Sequence, residues 1–223
     1  MERLAGNVGY VKLNRFVPLD YSRETASAAM AFLAHSDAVI VDLRDNISGS
    51  PDLVRFLLSY FFGPDPVLLW ATANRGEGIR NDYRSITDLP GRRMSDADLW
   101  VLTGPRTASS AETFAYATRE SGRGTLVGEH TAGAGNGGAK LSVGHGLALF
   151  VPIWQMVTGP GFERTGVEPH AAVPADEALA EAHRRALGRL LQRTGTTAEI
   201  RREWEQALQS ITTGSRAAQK RGR

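Results

Sequence analysis

Ser109 lies in Val101-Leu102-Thr103-Gly104-Pro105-Arg106-Thr107-Ala108-Ser109-Ser110-Ala111-Glu112. An apolar stretch runs into a Gly-Pro turn and then into helix-forming residues. A hydroxyl at such a strand-turn-helix junction is exposed above the sheet. The unbonded N–H groups of the helix start favour negative charge beside it. That setting suits a nucleophile whose attack leaves an oxyanion. The same residues also read as a capping box, Ser109-x-x-Glu112, which needs no catalysis. One helix start can serve both purposes. The chain has no cysteine. Disulfides and thiolate metal sites are therefore excluded, and covalent chemistry falls to Ser, Thr, Lys or a carboxylate.

The flanking patterns show what positions this serine. Asn7 to Phe16 alternates as a strand around Val8, Tyr10, Val11 and Leu13. Ala26, Ala29, Met30 and Leu33 have helical spacing, with Ser22 as the expected cap. Ala38 to Val41 reads as a strand buried on both faces, ending in Asp42-Leu43-Arg44-Asp45-Asn46-Ile47-Ser48-Gly49. Ser50-Pro51 opens a helix with Leu53, Val54, Leu57, Leu58 and Phe61 on one face. Val67 to Ala71, Leu99 to Thr103 and Thr125 to Val127 read as strands, Glu112 to Glu120 as a helix, and residues 73–93 as a loop or excursion. Lys140 to Val143 and Leu147 to Val151 form a hairpin, and two amphipathic helices close the chain. Strands alternating with helices imply an α/β fold of right-handed βαβ units around a largely parallel sheet. Chemistry then belongs in the loops after the strands' carboxyl ends, at 45–49, 104–109 and the glycine-rich 128–138.

Val41-Asp42-Leu43-Arg44-Asp45-Asn46-x-x-Gly49, then Leu102-Thr103-x-x-x-Thr107-Ala108-Ser109-x-Ala111-Glu112-x-Phe114-Ala115, then Leu126-Val127-Gly128-Glu129-x-Thr131-Ala132-Gly133 and Gly166-Val167-Glu168-Pro169 resemble the serine peptidases of the C-terminal-processing (tail-specific) family. The likeness is greatest to the branch of interphotoreceptor retinoid-binding protein and the tricorn core protease, and covers residues 7–192. It implies a Clp-protease/crotonase-like core that cleaves peptides or proteins near their C-termini without a cofactor. It implies Ser109 as nucleophile and the Ser110 and Gly49 N–H groups as the oxyanion hole. Two such donors are worth about 3 kcal/mol each in the transition state. By the same resemblance Glu163 is the glutamate that orients a histidine base.

The chain departs from the pattern at three places. Ala134 stands where relatives with a Ser-Lys dyad carry the lysine, and the chain's lysines are Lys12, Lys140 and Lys220. The matching histidine belongs to a helical segment upstream of the core, which the sequence is expected to lack. His130, next to Glu129 in the glycine-rich loop, is the local candidate for the base. Ile47 and Ser48 replace the usual glycines before Gly49. They put the oxyanion-hole geometry in question, because only glycine takes positive φ freely. Asp42, Arg44 and Asp45 read as structural ion-pairing groups. His35, His145, His170 and His183 have no named partners. No two histidines have metal-ligand spacing, so no metal is expected.

With 223 residues the chain is long enough for a substantial core. Residues 1–192 form the expected catalytic core, 193–213 a helix and 214–223 a basic, disordered tail. The net charge of +2 depends on Arg216, Lys220, Arg221 and Arg223; without them the chain is mildly acidic. No nucleic-acid partner is expected. No apolar run approaches the length of a membrane span or reads as a signal peptide. The location expected of the sequence as written is cytoplasmic, with an exported or envelope location if Met1 is not the true start. An excess of arginine over lysine hints at a GC-rich bacterial genome. Homo-oligomerisation is left open. Three functions compete: a serine peptidase acting on peptide or protein substrates, a non-catalytic module for an apolar ligand or peptide, and an inactive fragment or scaffold.

Overall fold

A computed structural model describes residues 1–74 and 76–221, with residues 213–221 described by backbone alone. The elements run β1 (Glu2–Leu4), β2 (Val8–Lys12), α1 (Leu19–Leu33), β3 (Ala38–Asp42), α2 (Pro51–Ser59), β4 (Leu68–Asn74), β5 (Ile79–Arg84), β6 (Asp98–Thr103), α3 (Ser110–Glu120), β7 (Gly124–Gly128), β8 (Gly137–Gly144), β9 (Leu147–Met156), β10 (Ala171–Ala172), α4 (Ala178–Leu190) and α5 (Ala198–Arg221). The main sheet has the order β1-β2-β3-β6-β7-β10. Every neighbouring pair is parallel except β1 with β2.

Strand alternation builds a core on each face of this sheet. Val39 and Val41 of β3 and Leu99 and Val101 of β6 face the layer of α1, α2 and α3. Ala38, Ile40, Trp100 and Leu102 face α4 and α5. Both faces are covered, which is why these strands read as continuous apolar runs rather than alternating ones. The expected α/β architecture with a largely parallel sheet is therefore present, and the carboxyl ends of β3, β6 and β7 lead into the three anticipated loops.

Several local expectations change. Ser22 is not a cap: α1 starts at Leu19 after Pro18, and the Ser22 hydroxyl donates back to the Val17 and Pro18 carbonyls. Proline fixes the entry geometry one turn earlier than the serine suggests. Strand β2 ends at Lys12 rather than Phe16, although Phe16 still bridges to Gly49. The expected loop at 73–93 contains β5, which pairs with β4. Its residues are mostly polar because the strand lies at an exposed edge, held by Tyr83 stacked on buried Trp70 at 4.7 Å. By contrast Ser50 does cap α2, accepting from the Asp52 N–H at 3.2 Å, with Pro51 as the first helical residue.

Strands β5-β4-β9-β8 make a second, antiparallel sheet. Its β8-β9 hairpin leaves Leu141, Val143, Leu147 and Leu149 more than half exposed. The expected basic tail at 214–223 falls on side chains outside the described residues, and Gly222 and Arg223 lie outside them altogether.

Candidate active site

The turn that presents Ser109 is fixed from beneath. Buried Thr107 donates its hydroxyl to the Leu43 carbonyl at 2.9 Å and accepts from the Gly104 N–H at 3.0 Å. The Ala108 N–H bonds the Asn46 carbonyl at 3.0 Å, joining this turn to the loop after β3. Asn46 is itself buried, and its side-chain oxygen accepts from the Ser48 N–H. Ser109 is then forced to φ 57° and ψ −120°. That is a costly conformation for a residue with a Cβ, about 1–3 kcal/mol, and it survives only where its surroundings impose it.

The loop after β3 reaches the same point. Phe16 donates its N–H to the Ser48 carbonyl at 3.1 Å and accepts from the Ser50 N–H at 2.7 Å, which leaves the N–H and carbonyl of Gly49 itself directed away from Phe16. Gly49 has φ +149°, and a Cβ there would lie 2.1 Å from the Phe16 carbonyl oxygen. Only glycine fits. Ile47 and Ser48, by contrast, avoid positive φ, so the loop does not need the missing glycines. The Ser110 hydroxyl donates to the Gly49 carbonyl at 2.6 Å and so joins the loop to the first residue of α3. Neither the Gly49 N–H nor the Ser110 N–H meets an acceptor among the described residues.

Glu112 does more than the capping motif indicates. Its carboxylate is fully buried and accepts from the Ser109 N–H at 2.9 Å, which is one half of the capping box. The reciprocal approach of the Glu112 N–H to the Ser109 hydroxyl is looser and adds no cap hydrogen bond. The carboxylate also accepts from the Thr131 hydroxyl at 2.5 Å and from the Gly133 and Ala134 N–H groups at 2.6 and 2.8 Å. One buried anion thus binds the glycine-rich loop to the start of α3. The sequence held a signal for this, an acid after the nucleophile and Thr-Ala-Gly after β7, but no spacing rule joins residues so far apart.

Exposed Glu163 accepts from the Gly135 and Asn136 N–H groups through one oxygen, at 2.7 and 2.8 Å, and its other oxygen has no hydrogen bond among the described residues. Ala134, at the lysine position of the dyad pattern, joins the site through its backbone. Lys140 is an exposed residue of β8 opposite Phe150. His130 is exposed and makes no hydrogen bond or ion pair among the described residues. Two other histidines are occupied elsewhere. His183 is buried and bonds the Ala5 carbonyl through Nε2 at 2.8 Å, and His170 accepts from the Leu126 N–H through Nδ1 at 3.0 Å. Burial lowers the pKa of both, and Arg119 lowers that of His170 further. No histidine, lysine or carboxylate is hydrogen-bonded to the Ser109 hydroxyl among the described residues.

Asp42, at the end of β3, is a structural hub. Its buried carboxylate takes Tyr10 Oη at 2.7 Å and Arg44 Nη2 and Nε at 2.7 and 2.9 Å, while Arg44 Nη1 donates to the Ala175 carbonyl. Burial pulls its pKa up, but the Arg44 and Tyr10 hydrogen bonds outweigh this and hold it below the ordinary value. Asp45 pairs with Lys12 at 2.7 Å. Among the described residues no group of His, Asp and Glu is placed to hold a metal ion, and no helix is long and apolar enough to cross a membrane.

A cavity of about 200 Å³ opens between α1, α2 and the sheet. Its walls are almost wholly apolar and include Val11, Leu13, Met30, Leu57 and Phe114. Arg15 and Val17, on either side of Phe16, also line it, so it adjoins the segment that holds Gly49.

The fold is that of a class of peptidases. The photosystem II D1 C-terminal processing protease is similar at a TM-score of 0.62 and 26% identity, over 76% of this chain and 43% of that one. Mature CPAF shares the fold at a TM-score of 0.67 and 15% identity, over 85% and 52% of the two chains. The sequence profile of peptidase family S41 matches residues 7–173, and the chain belongs to that family. A carboxyl-terminal-processing protease of Picosynechococcus sp. is 29% identical over 181 residues, which are 78% of this chain and 41% of the relative. The chain spans less than half the length of the carboxyl-terminal-processing relatives it matches.

Proposed function

We propose that this chain is the core of a serine peptidase, with Ser109 as nucleophile and the Gly49 and Ser110 N–H groups as oxyanion donors. The observation that carries the reading is the left-handed backbone of Ser109 at the start of α3. A capping serine has no need of that strain, whereas it turns the hydroxyl out over the helix N-terminus. In the reaction, Ser109 Oγ attacks the scissile carbonyl and gives its proton to a base. The carbonyl oxygen becomes an anion facing the two free N–H groups. The C–N bond then breaks, the base returns the proton to the departing amine, and water hydrolyses the acyl-serine. In the chain by itself the base is His130 after its loop moves, and a histidine of another segment or subunit takes that place where one docks. The free oxygen of Glu163 is available to orient it. The substrate is a peptide or protein, and the cavity beside Phe16 accommodates an apolar side chain next to the cleaved bond.

Incubating the chain with a mixture of peptides and reading the products by mass spectrometry tests this. New termini that disappear with Ser109→Ala support the proposal, and identical products from both chains refute it. The cavity also favours a second reading, a non-catalytic module for an apolar ligand. That reading predicts ligand-dependent thermal stabilisation which survives Ser109→Ala and is lost when Ala29→Phe fills the cavity.

A further inference from the structure

We infer that the Ser110 side chain is a positioning residue for the oxyanion hole, holding the Gly49 N–H at its working angle. The inference rests on the peptidase reading above. Two peptide units meet at Gly49, and they present four polar groups. The Ser48 carbonyl accepts from the Phe16 N–H, and the Ser50 N–H donates to the Phe16 carbonyl. The Gly49 carbonyl accepts from Ser110 Oγ at 2.6 Å. The fourth group, the Gly49 N–H, has no acceptor among the described residues. Each peptide is trans and planar. The Ser48–Gly49 unit turns its carbonyl towards Phe16 and therefore its N–H away from it, to the side where Ser110 stands.

A glycine is the residue least able to hold such an orientation by itself. Phe16 fixes one flank of Gly49, and the Ser110 hydroxyl is the tie on the other. Ser110 is 8% exposed, so no solvent shell competes strongly for its hydroxyl. The same residue contributes its own free N–H. One side chain thereby fixes the spacing between two donors that come from different loops. Donors of this kind act through preorganisation, because they need no rearrangement as charge develops. Losing the tie leaves Gly49 in place but lets its N–H wander.

Hydrolysis of p-nitrophenyl butyrate by the whole chain measures the effect, with the Gly49 amide followed by NMR in parallel. Removing an oxyanion donor outright costs about 100- to 1000-fold, so loosening one should lower kcat about 10-fold in Ser110→Ala. KM should stay within about twofold, since the tie acts on the transition state and not on ester binding. Ser110→Thr keeps the hydroxyl and should restore most of kcat. The Gly49 amide resonance should shift or broaden in Ser110→Ala and recover in Ser110→Thr. With an active wild type, Ser110→Ala at full kcat, or a change in KM alone, overturns the role of Ser110 while leaving the nucleophile intact. An unchanged Gly49 resonance overturns the tie whatever the activity. A wild type no faster than Ser109→Ala refutes the peptidase reading, and with it the catalytic meaning of the tie.

Discussion

Replacing Ser109 with glycine should make the protein more stable than the wild type. Ser109 sits at φ 57° and ψ −120°, where a Cβ is unfavourable and glycine is not. Relief of the strain is worth about 1–3 kcal/mol. Against it stands about 0.5–1 kcal/mol for the greater freedom glycine has in the unfolded chain. The net gain is up to about 2.5 kcal/mol, or up to roughly 10 °C in Tm for a domain of this size. Calorimetry or urea titration of wild type, Ser109→Gly and Ser109→Ala measures it. The alanine variant is an informative control. A pure capping role ranks wild type above glycine and glycine above alanine, because glycine caps nearly as well as serine and alanine poorly. Strain stored for function instead ranks glycine above wild type, while alanine keeps the strain. A glycine variant less stable than wild type would refute the claim that this backbone is strained.

Other expectations follow from the same contacts. Gly49→Ala places a Cβ 2.1 Å from the Phe16 carbonyl oxygen, and urea unfolding should show a loss of about 3 kcal/mol or more. Glu112→Ala leaves three N–H groups and the Thr131 hydroxyl without their buried acceptor. Its cost should be about 3–5 kcal/mol, and limited proteolysis should then cut the chain near residues 131–136. For pH, burial lowers the pKa of His183, so the folded state keeps that ring neutral. The unfolded chain takes up the proton near pH 6.5, so stability is full above that value. It should fall as the pH drops from there towards the depressed folded pKa, and more gently in His183→Gln.

Much of the scaffold could be read in the residue pattern because its causes are local or periodic. Ala38-Val39-Ile40-Val41 announces a strand buried on both faces, and Ser50-Pro51 announces a helix start; both are where the pattern put them. Strand β5 was hidden because an exposed edge strand of Arg, Asn and Asp lacks apolar alternation. At the site, the types and order of Ser109, Ser110 and Gly49 could be read, but their relations could not. Nothing in the spacing says that the Ser110 hydroxyl reaches the Gly49 carbonyl, 61 residues away in sequence. Nor does it reveal Glu112 as the anchor of the glycine-rich loop. The conformation at Ser109 was also out of reach, since positive φ is imposed there by Thr107, Asn46 and Glu112 rather than by the serine.

A nucleophilic Ser109 should react covalently with an electrophilic phosphorus. Intact-mass analysis after incubation with a fluorophosphonate probe tests it most directly, with Ser109→Ala beside the wild type and folding of both checked by circular dichroism. One covalent adduct should form on the wild type, map to Ser109 and be absent from the variant. A folded wild type that takes up no probe, or an adduct that persists in Ser109→Ala, would contradict it.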